Sequence, residues 1–534
     1  MVQVLIADLP KKIQGERLTA YAERLSSLYS EGSKISTRKG RGQFFTPKEI
    51  SSFMAGKFDV CKNELRILDP GAGVGTLTAA LCERLAANEG KLKIIADVYE
   101  NDEGVLPFLE KTLSTCKNEL KNYNKELEYT IHNGDFIKAN MNAGSNKLYL
   151  TNGSAPELYD FVISNPPYYK LGKVHTSKSM HMLAGLHPNI YALFMTVAIS
   201  KLKPNGEAVF ITPRSFCSGT YYNNFRWQLL NTATIKDIHL FESRKEVFHN
   251  DDVLQESVIM KFKKENQTKN IQVTISISKT GKFSEVREIK AEYEDIVYKK
   301  GHQIFIRIPE SKEDVKILHT IDKWPNFIED LGLEVSTGPI IEFRSKEFLL
   351  DKPNGNPYAP ILWMHNMKDF KIEWPAYKKG KASAILISSK SAPLLVPIKN
   401  YVLVKRFSSR EQARRLYAVP FLKSDLNAES LGIENHVNYI HKLNGGMSVD
   451  ETVGLAAILN TTLIDKYFRA LNGNTQVNAT DMRNMPLPSL EKIRQIGKIV
   501  SRGEGNLTEA EFDEIVLAEL NISERILTVG KELA

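Results

Sequence analysis

The chain has 534 residues, 42% hydrophobic and 25% charged, a mixture that excludes both a small single module and global disorder. Its formal net charge of +8 favours a polyanionic partner without identifying one. The apolar opening Val2–Leu9 is interrupted by Asp8 and closed by Pro10, too short for a signal peptide. No apolar run approaches the about 20 residues that span a bilayer, so a cytoplasmic protein with no membrane partner is expected.

Cys61, Cys82, Cys116 and Cys217 are irregularly spaced with no C-x-x-C pair, which reads as buried, reduced thiols. His175, His181 and His187 recur six apart, matching neither a one-turn helical pair nor a zinc finger. They are read as loop residues, and no metal is expected.

In chain order, Ile13 to Tyr29 carries Leu18, Tyr21, Leu25 and Leu28 at near-helical spacing and predicts an amphipathic helix. Residues 32–48 collect Lys34, Arg38, Lys39, Arg41 and Lys48 without an acid and predict a flexible basic loop. From Arg66 to about Lys264, short apolar runs alternate with longer helical patterns, which implies crossover units and a mainly parallel sheet. Strands are predicted at Arg66–Leu68, Ile94–Tyr99, Tyr129–His132, Phe161–Ile163, Ala208–Ile211, Ile235–Phe241 and Val258–Phe262. Helices are predicted at Thr76–Ala87, Asp102–Leu120, Ile190–Leu202 and Tyr222–Thr232.

After the charged stretch Lys263–Asn270 the order becomes irregular. It holds β-rich runs at Ile271–Ile277, Ser383–Ser388 and Tyr401–Arg406, and turns at Pro353–Gly355 and Asn444–Gly446. Helical patterns follow at Leu490–Arg502, Thr508–Leu520 and Ser523–Glu532. The expected division is a helical arm with its basic loop over 1–39, an α/β domain over 40–265, and a mixed α+β domain over 266–534.

Two constellations carry chemistry. In the first, Ile67-Leu68-Asp69-Pro70-Gly71-Ala72-Gly73-Val74-Gly75-Thr76 runs from an apolar strand through three alternating glycines into a helix. Glycine lacks the Cβ that would keep a nucleotide-like ligand off the backbone. The spacing is not the dinucleotide fingerprint, and no phosphate-cradling G-x-x-x-x-G-K-[ST] occurs, which leaves a nucleoside site. At the next strand's end Glu100 can accept from ribose hydroxyls, and after the third strand Asp135 can accept from an adenine amino group. Singly, such a turn is as often tight packing and such an acid a helix cap; the ordered set points to a ligand.

In the second, Asn165-Pro166-Pro167-Tyr168 follows the fourth strand at the same carboxyl edge. Asn165 offers a side-chain oxygen, Pro166 a main-chain oxygen, and Tyr168 a ring face. Together these are the features needed to grip a planar exocyclic amine; standing alone, the tetrapeptide would read as a proline-rich turn with an aromatic lid, and its place after the glycine turn argues for the grip.

These motifs in this order resemble the amino-adenine DNA methyltransferases of restriction–modification systems, in the gamma arrangement where cofactor motifs precede Asn-Pro-Pro-Tyr and target recognition follows. The resemblance covers about residues 40–265 by motif and the rest by architecture. It implies a Rossmann-like, S-adenosyl-L-methionine-dependent methyltransferase fold with a C-terminal mixed α+β target-recognition domain. Gly42-Gln43-Phe44-Phe45-Thr46-Pro47 is similar to the family's N-terminal cofactor motif. The resemblance thereby assigns Thr46, Asp69, Gly71, Gly73, Gly75, Glu100 and Asp135 to the cofactor, and Asn165, Pro166 and Tyr168 to catalysis. Phe248, in Glu246-Val247-Phe248, is the aromatic expected against a flipped base, with Phe241 as its competitor. The glycine motif departs from the family's frequent pattern by carrying Asp69-Pro70 before Gly71. Implied partners are double-stranded DNA and, functionally, a cognate restriction endonuclease; a monomer is expected.

The same tetrapeptide occurs in methyltransferases of protein glutamine and of RNA, so the motif identifies a planar amino acceptor rather than DNA. A catalytically silent DNA-specificity subunit is the alternative of another class; it should have lost Asn165 or Gly73, and both are present. No P-D…[DE]-x-K arrangement suggests a fused nuclease. In the C-terminal half, Arg344, Lys346, Trp363, Lys368, Lys371, Trp374, Tyr377 to Lys381, Lys405 and Arg406 interleave cations and aromatics as a DNA surface would, or, equally for any single residue, as a solvated face over an aromatic core would. Asn474 to Arg483 resembles a segment of such recognition domains and is read as a structural turn.

Overall fold

The computed structural model describes residues 6–33, 42–140, 157–169, 189–242, 256–265, 270–353, 355, 357–408, 412–473, 476–503 and 507–527. Lys34, Arg38, Lys39, Arg41, the three loop histidines, Glu246 to Phe248, Asn474 and Thr475 lie outside them. The chain forms two compact units, Met1–Ile308 and Pro309–Ala534.

The first unit is built on one sheet of nine strands, and all seven predicted strands are in it. Its elements begin with α1 (Leu18–Gly32) and α2 (Lys48–Gly56), then β1 (Glu64–Asp69), α3 (Thr76–Ala86), β2 (Leu92–Glu100), α4 (Leu106–Leu120) and β3 (Lys125–Asn133). A short α5 (Phe136–Asn140) follows, then β4 (Tyr159–Ser164), α6 (Ile190–Ser200), β5 (Leu202–Pro213), α7 (Asn223–Thr232), β6 (Thr234–Phe241) and β7 (Ser257–Lys263). The order across the sheet is β3-β2-β1-β4-β5-β7-β6, extended by β8 (Gln272–Ser278) and β9 (Val286–Glu292). Strands β1 to β5 pair in parallel. β7 inserts antiparallel between β5 and β6. This is the expected Rossmann-like α/β architecture. Order reverses at β1, whose neighbours are β2 and β4, so the strand ends there open a crevice for a ligand.

Every residue of β4 is buried, as befits a central strand covered on both faces. On one side, Leu18, Ile50, Met54, Leu77 and Leu81 from the helices close over Leu65, Ile67, Ile94, Phe161 and Val209 of the strands. Helix α6 is buried along its whole length and contacts both α7 and β5.

β3 and β5 begin earlier than expected, at Lys125 and Leu202 rather than Tyr129 and Ala208, and three further boundaries differ for an identifiable reason. α1 begins at Leu18 rather than Ile13, because Gly15 has a φ of 78° and Arg17 is extended. α4 begins at Leu106 with a proline in its first turn, the position where a missing N–H costs nothing. The expected domain boundary after residue 265 falls instead between Ile308 and Pro309. β8 pairs in parallel with β6, burying Val273, Ile275 and Ile277, and β9 caps that edge. The charged stretch before them therefore falls within the unit and does not bound it. A hairpin of β10 (Val297–Lys300) and β11 (Gln303–Ile306) completes it.

Among its described residues the second unit holds two small sheets and a two-stranded ribbon of Met367–Lys368 with Lys371–Ile372. One has four antiparallel strands in the order Leu333–Thr337, Val437–Lys442, Tyr401–Lys405, Ala418–Phe421. The other has five, with Tyr358–Leu362 in the middle. Helices Val449–Leu459, Thr462–Leu471, Leu490–Arg502 and Glu509–Glu519 follow. Of the expected helix Ser523–Glu532, the described part is a single turn, Glu524–Ile526. Cys82, Cys116 and Cys217 are buried free thiols, whereas Cys61 is exposed. Among the described residues no helix is long and apolar enough to cross a membrane.

Candidate active site

The glycine turn is held in shape from below by two buried acids. Asp69, at the end of β1, is fully buried and accepts a hydrogen bond from the Thr78 hydroxyl at 2.8 Å. Burial raises its carboxyl to about 7, because desolvation penalises the charged form. Glu100, at the end of β2, accepts from the backbone N–H of Gly73 at 3.0 Å through one oxygen. Its other oxygen accepts from the N–H groups of Asn101 and Asp102, at 2.9 and 2.8 Å. Burial also raises its pKa. The carboxylate thus ties two strand-end turns together and still faces the cavity with spare lone pairs.

Gly73 has a φ of 55°, and a Cβ there would lie 3.0 Å from the ring of Phe45. The turn therefore needs glycine twice over, for conformation and for clearance. Phe45 stands edge-on to Tyr29 at 5.7 Å, and the Tyr29 hydroxyl donates to Asp102 at 2.8 Å. Helix α1, whose use the sequence left open, thereby braces the pocket. Glu23 of the same helix accepts from the Lys48 backbone at 3.1 Å and pairs with its ammonium at 3.0 Å, anchoring the segment that carries Phe44, Phe45 and Thr46.

The Asn-Pro-Pro-Tyr loop lies against that segment. The Asn165 amide nitrogen donates to the Phe44 carbonyl at 2.9 Å and to the Thr46 hydroxyl at 3.0 Å. The Tyr168 hydroxyl lies 2.6 Å from Asn165 Oδ1 and 2.9 Å from the Ile211 carbonyl. Burial pushes this phenol above its ordinary pKa, so it is a donor at any working pH. The Tyr168 ring stacks on Phe44 at 5.9 Å and meets Tyr191 edge-on at 6.2 Å. Among the described residues, the Pro166 carbonyl receives no hydrogen bond.

Between the glycine turn and this loop is a cavity of about 540 Å³. Of the residues predicted from sequence, Thr46, Gly71, Gly73, Glu100, Asp135 and Asn165 line it. Asp69, Gly75, Pro166 and Tyr168 stand behind that wall, and Phe248 lies outside the described residues. Asp135 also caps α5, accepting from the N–H groups of Ile137 and Lys138 at 2.9 and 3.1 Å, so the cap and the lining role coincide. Gln43 and Phe45 line it as part of the motif read from sequence, in which Thr46 alone was singled out, whereas Tyr99, Asp102 and Phe194 were missed. The Phe44-Phe45 pair before Thr46-Pro47 was the available signal for Phe45; Phe194 sits in a uniformly apolar helix and gives none. Among the described residues, Gln43 Oε1 is buried with no hydrogen-bond partner, an acceptor awaiting a donor. The cradle, this orphaned acceptor and the strand-end carboxylates fit a nucleoside cofactor.

Comparison with known proteins gives one match to a protein-family model, the Eco57I restriction-modification methylase, over residues 76–248. The chain is 38% identical to the type II methyltransferase M.BsuBI of Bacillus subtilis, over 91% of this chain and 94% of that one. It is 34% identical to the type II methyltransferase M.PstI of Providencia stuartii, with the same coverage. The chain belongs to the type II methyltransferases of restriction–modification systems. Among solved structures, the restriction–modification enzyme MmeI in complex with DNA aligns with a TM-score of 0.49 and 12% identity, over 93% of this chain and 74% of that one.

In the second unit of this methyltransferase the interleaved cations and aromatics divide into two sets. Trp363 and Trp374 are structural, donating their indole N–H to the Ala382 and Ser383 carbonyls at 2.8 and 2.9 Å. Lys381 pairs with Glu342 at 2.5 Å and lies over Trp363. Lys368 pairs with Glu373 at 3.0 Å, Lys405 lies over Tyr417 at 3.7 Å, and Arg406 donates to Asn435. Arg344, Lys346, Lys371, Lys378 and Lys379 are exposed, as are Tyr377 at 90% and the unpredicted Phe343 at 70%. The Lys381–Glu342 bridge ties the segment bearing Phe343 to the one bearing Tyr377. Within Asn474–Arg483, Asn478 caps a short helix and donates to Asp481, which also accepts from Asn472. The described part of that segment is thus occupied internally.

Proposed function

We propose that this methyltransferase transfers a methyl group from S-adenosyl-L-methionine to the N6 amino group of an adenine in double-stranded DNA. The adenine is turned out of the helix, and the modification protects DNA from a cognate restriction endonuclease. The enzyme acts in the cytoplasm as a monomer, with residues 309–534 as its target-recognition unit. Gly71 and Gly73 provide the backbone surface for the cofactor, Glu100 faces its ribose hydroxyls and Asp135 its adenine amino group. When bound, the cofactor supplies an electrophilic methyl on its sulfonium sulfur.

The chain's own groups then shape the acceptor. An adenine inside a duplex is out of reach, and extruding it costs a few kcal/mol of stacking and pairing. Stacking on Tyr168, with Phe248 as the second aromatic, recovers part of this. Asn165 Oδ1 and the Pro166 carbonyl accept the two amino hydrogens. That draws the nitrogen toward tetrahedral geometry and frees its lone pair from the ring. Positioning and fixed dipoles do most of the work, and the proton leaves to solvent afterwards.

The observation that carries this reading is the state of the Asn165 amide. Both its hydrogens are engaged by Phe44 and Thr46, so what is left to meet an amino group is the oxygen, which lies beside the Tyr168 hydroxyl and keeps a second lone pair.

The test offers tritiated cofactor to the purified protein with duplex DNA, RNA or protein as acceptor. Label should appear in N6-methyldeoxyadenosine from the duplex and fall at least about a hundredfold in Asn165→Ala. Label in RNA or protein alone, or undiminished transfer in Asn165→Ala, would overturn the proposal.

A further inference from the structure

We infer that Thr46 is a positioning residue for the Asn165 amide, holding it with the Phe44 carbonyl in the one orientation that turns its oxygen toward an incoming amino group. This rests on the adenine-methylation reading above. An amide side chain rotated by half a turn exchanges its oxygen and its NH2. The exchange would set Asn165 Oδ1 against the Phe44 carbonyl, which sits 2.9 Å from the nitrogen. Two acceptors then face each other, and the amide would present donors to a substrate group that is itself a donor. The Phe44 carbonyl therefore selects the orientation. The Thr46 hydroxyl, 3.0 Å away and 7% exposed, satisfies the second amide hydrogen. Without it that hydrogen loses its protein partner, and the amide swings on one tether.

The clamp is anchored where the cofactor pocket is anchored. Phe44 and Thr46 belong to the segment that the Lys48–Glu23 contacts fasten to α1, and Phe45 between them packs against Gly73. The N-terminal motif, assigned by resemblance to cofactor binding, thus also sets the geometry of the methyl acceptor.

The experiment compares Thr46→Val, which keeps the shape and removes the hydroxyl, with Thr46→Ser, which restores it. Single-turnover methylation of duplex DNA is measured at saturating cofactor and DNA, with the cofactor Kd and melting temperature of each variant. Thr46→Val should lower the single-turnover rate about tenfold, the equivalent of one hydrogen bond lost in the transition state. Any rise in its cofactor Kd, which a residue lining the pocket can cause, is removed by saturation, and Thr46→Ser should recover the rate to within about threefold. The inference is overturned if the rate at saturation is unchanged in Thr46→Val, if the whole defect is a weaker cofactor Kd, or if Ser is as impaired as Val. A wild-type protein that labels no adenine, or an Asn165→Ala variant with full activity, sinks the underlying reading instead. A silent Thr46→Val beside a dead Asn165→Ala sinks the clamp alone.

Discussion

The hydroxyl of Tyr168 and Oδ1 of Asn165 lie 2.6 Å apart, so the aromatic and the amide of the tetrapeptide form one unit. Tyr168→Phe keeps the ring and removes the anchor. It should cost about 1 kcal/mol of stability, because the Ile211 carbonyl loses a donor. It should also slow methyl transfer severalfold while Tyr168→Ala slows it far more. Equal activity losses in the two variants would show that the hydroxyl, and not the ring, carries the role; melting temperature and single-turnover rate are the readouts.

Gly42 is the second glycine that geometry demands. Its φ is 61°, and a Cβ would sit 2.9 Å from the backbone nitrogen of Tyr168. Backbone cannot move aside as a side-chain tip can, so Gly42→Ala should displace the catalytic loop. We expect at least a tenfold lower transfer rate and a lower melting temperature, whereas Gly90→Ala, where nothing lies within 4 Å of the added carbon, should leave the rate intact.

Asp69 makes the cofactor-free protein pH-sensitive. Its folded pKa of about 7 lies above the 3.8 of a free aspartate, so the native state holds a proton that the unfolded chain releases between pH 4 and 7. Stability is then highest below that window and falls as pH rises through it. Asp69→Asn keeps an acceptor for Thr78 and removes the titration. The wild type should lose at least about 2 °C more than the variant between pH 5 and 7.5. Parallel curves would refute the shift.

Exposed cations of the second unit and the cation ion-paired with Glu373 should separate in a binding assay. Replacing Arg344, Lys378 and Lys379 together by Ala should weaken binding to duplex DNA of any sequence and flatten the salt dependence of log K by up to about 3. Lys368→Ala, which removes a cation already paired with Glu373, should change the slope by less than about 1. An unaltered slope in the triple variant would exclude this surface from DNA contact.

Much of the first unit was legible because its strands are short apolar runs ending in turn residues, as in Ile67-Leu68-Asp69 and Ile163-Ser164-Asn165. Periodicity places such strands, and the polar residue at each end marks the edge where ligands bind. What periodicity cannot supply is the partner. Tyr29 reads as one more apolar position on α1, yet it joins Phe45 to Asp102 across the pocket. Thr46 reads as a cofactor contact by motif, and its hydroxyl meets Asn165, far along the chain. The run Ile271–Ile277 was correctly read as β-rich and placed in the wrong domain, since strand propensity carries no record of which sheet edge is open.

The edge strands β8 and β9 bear on how relatives could be recombined. A chimera spliced at residue 265 would set one relative's β8 and β9 against another's β6, so that Val273, Ile275 and Ile277 must repack among foreign neighbours. A graft joined between Ile308 and Pro309 leaves that hem with its own sheet, and exchange of specificity should succeed only from there.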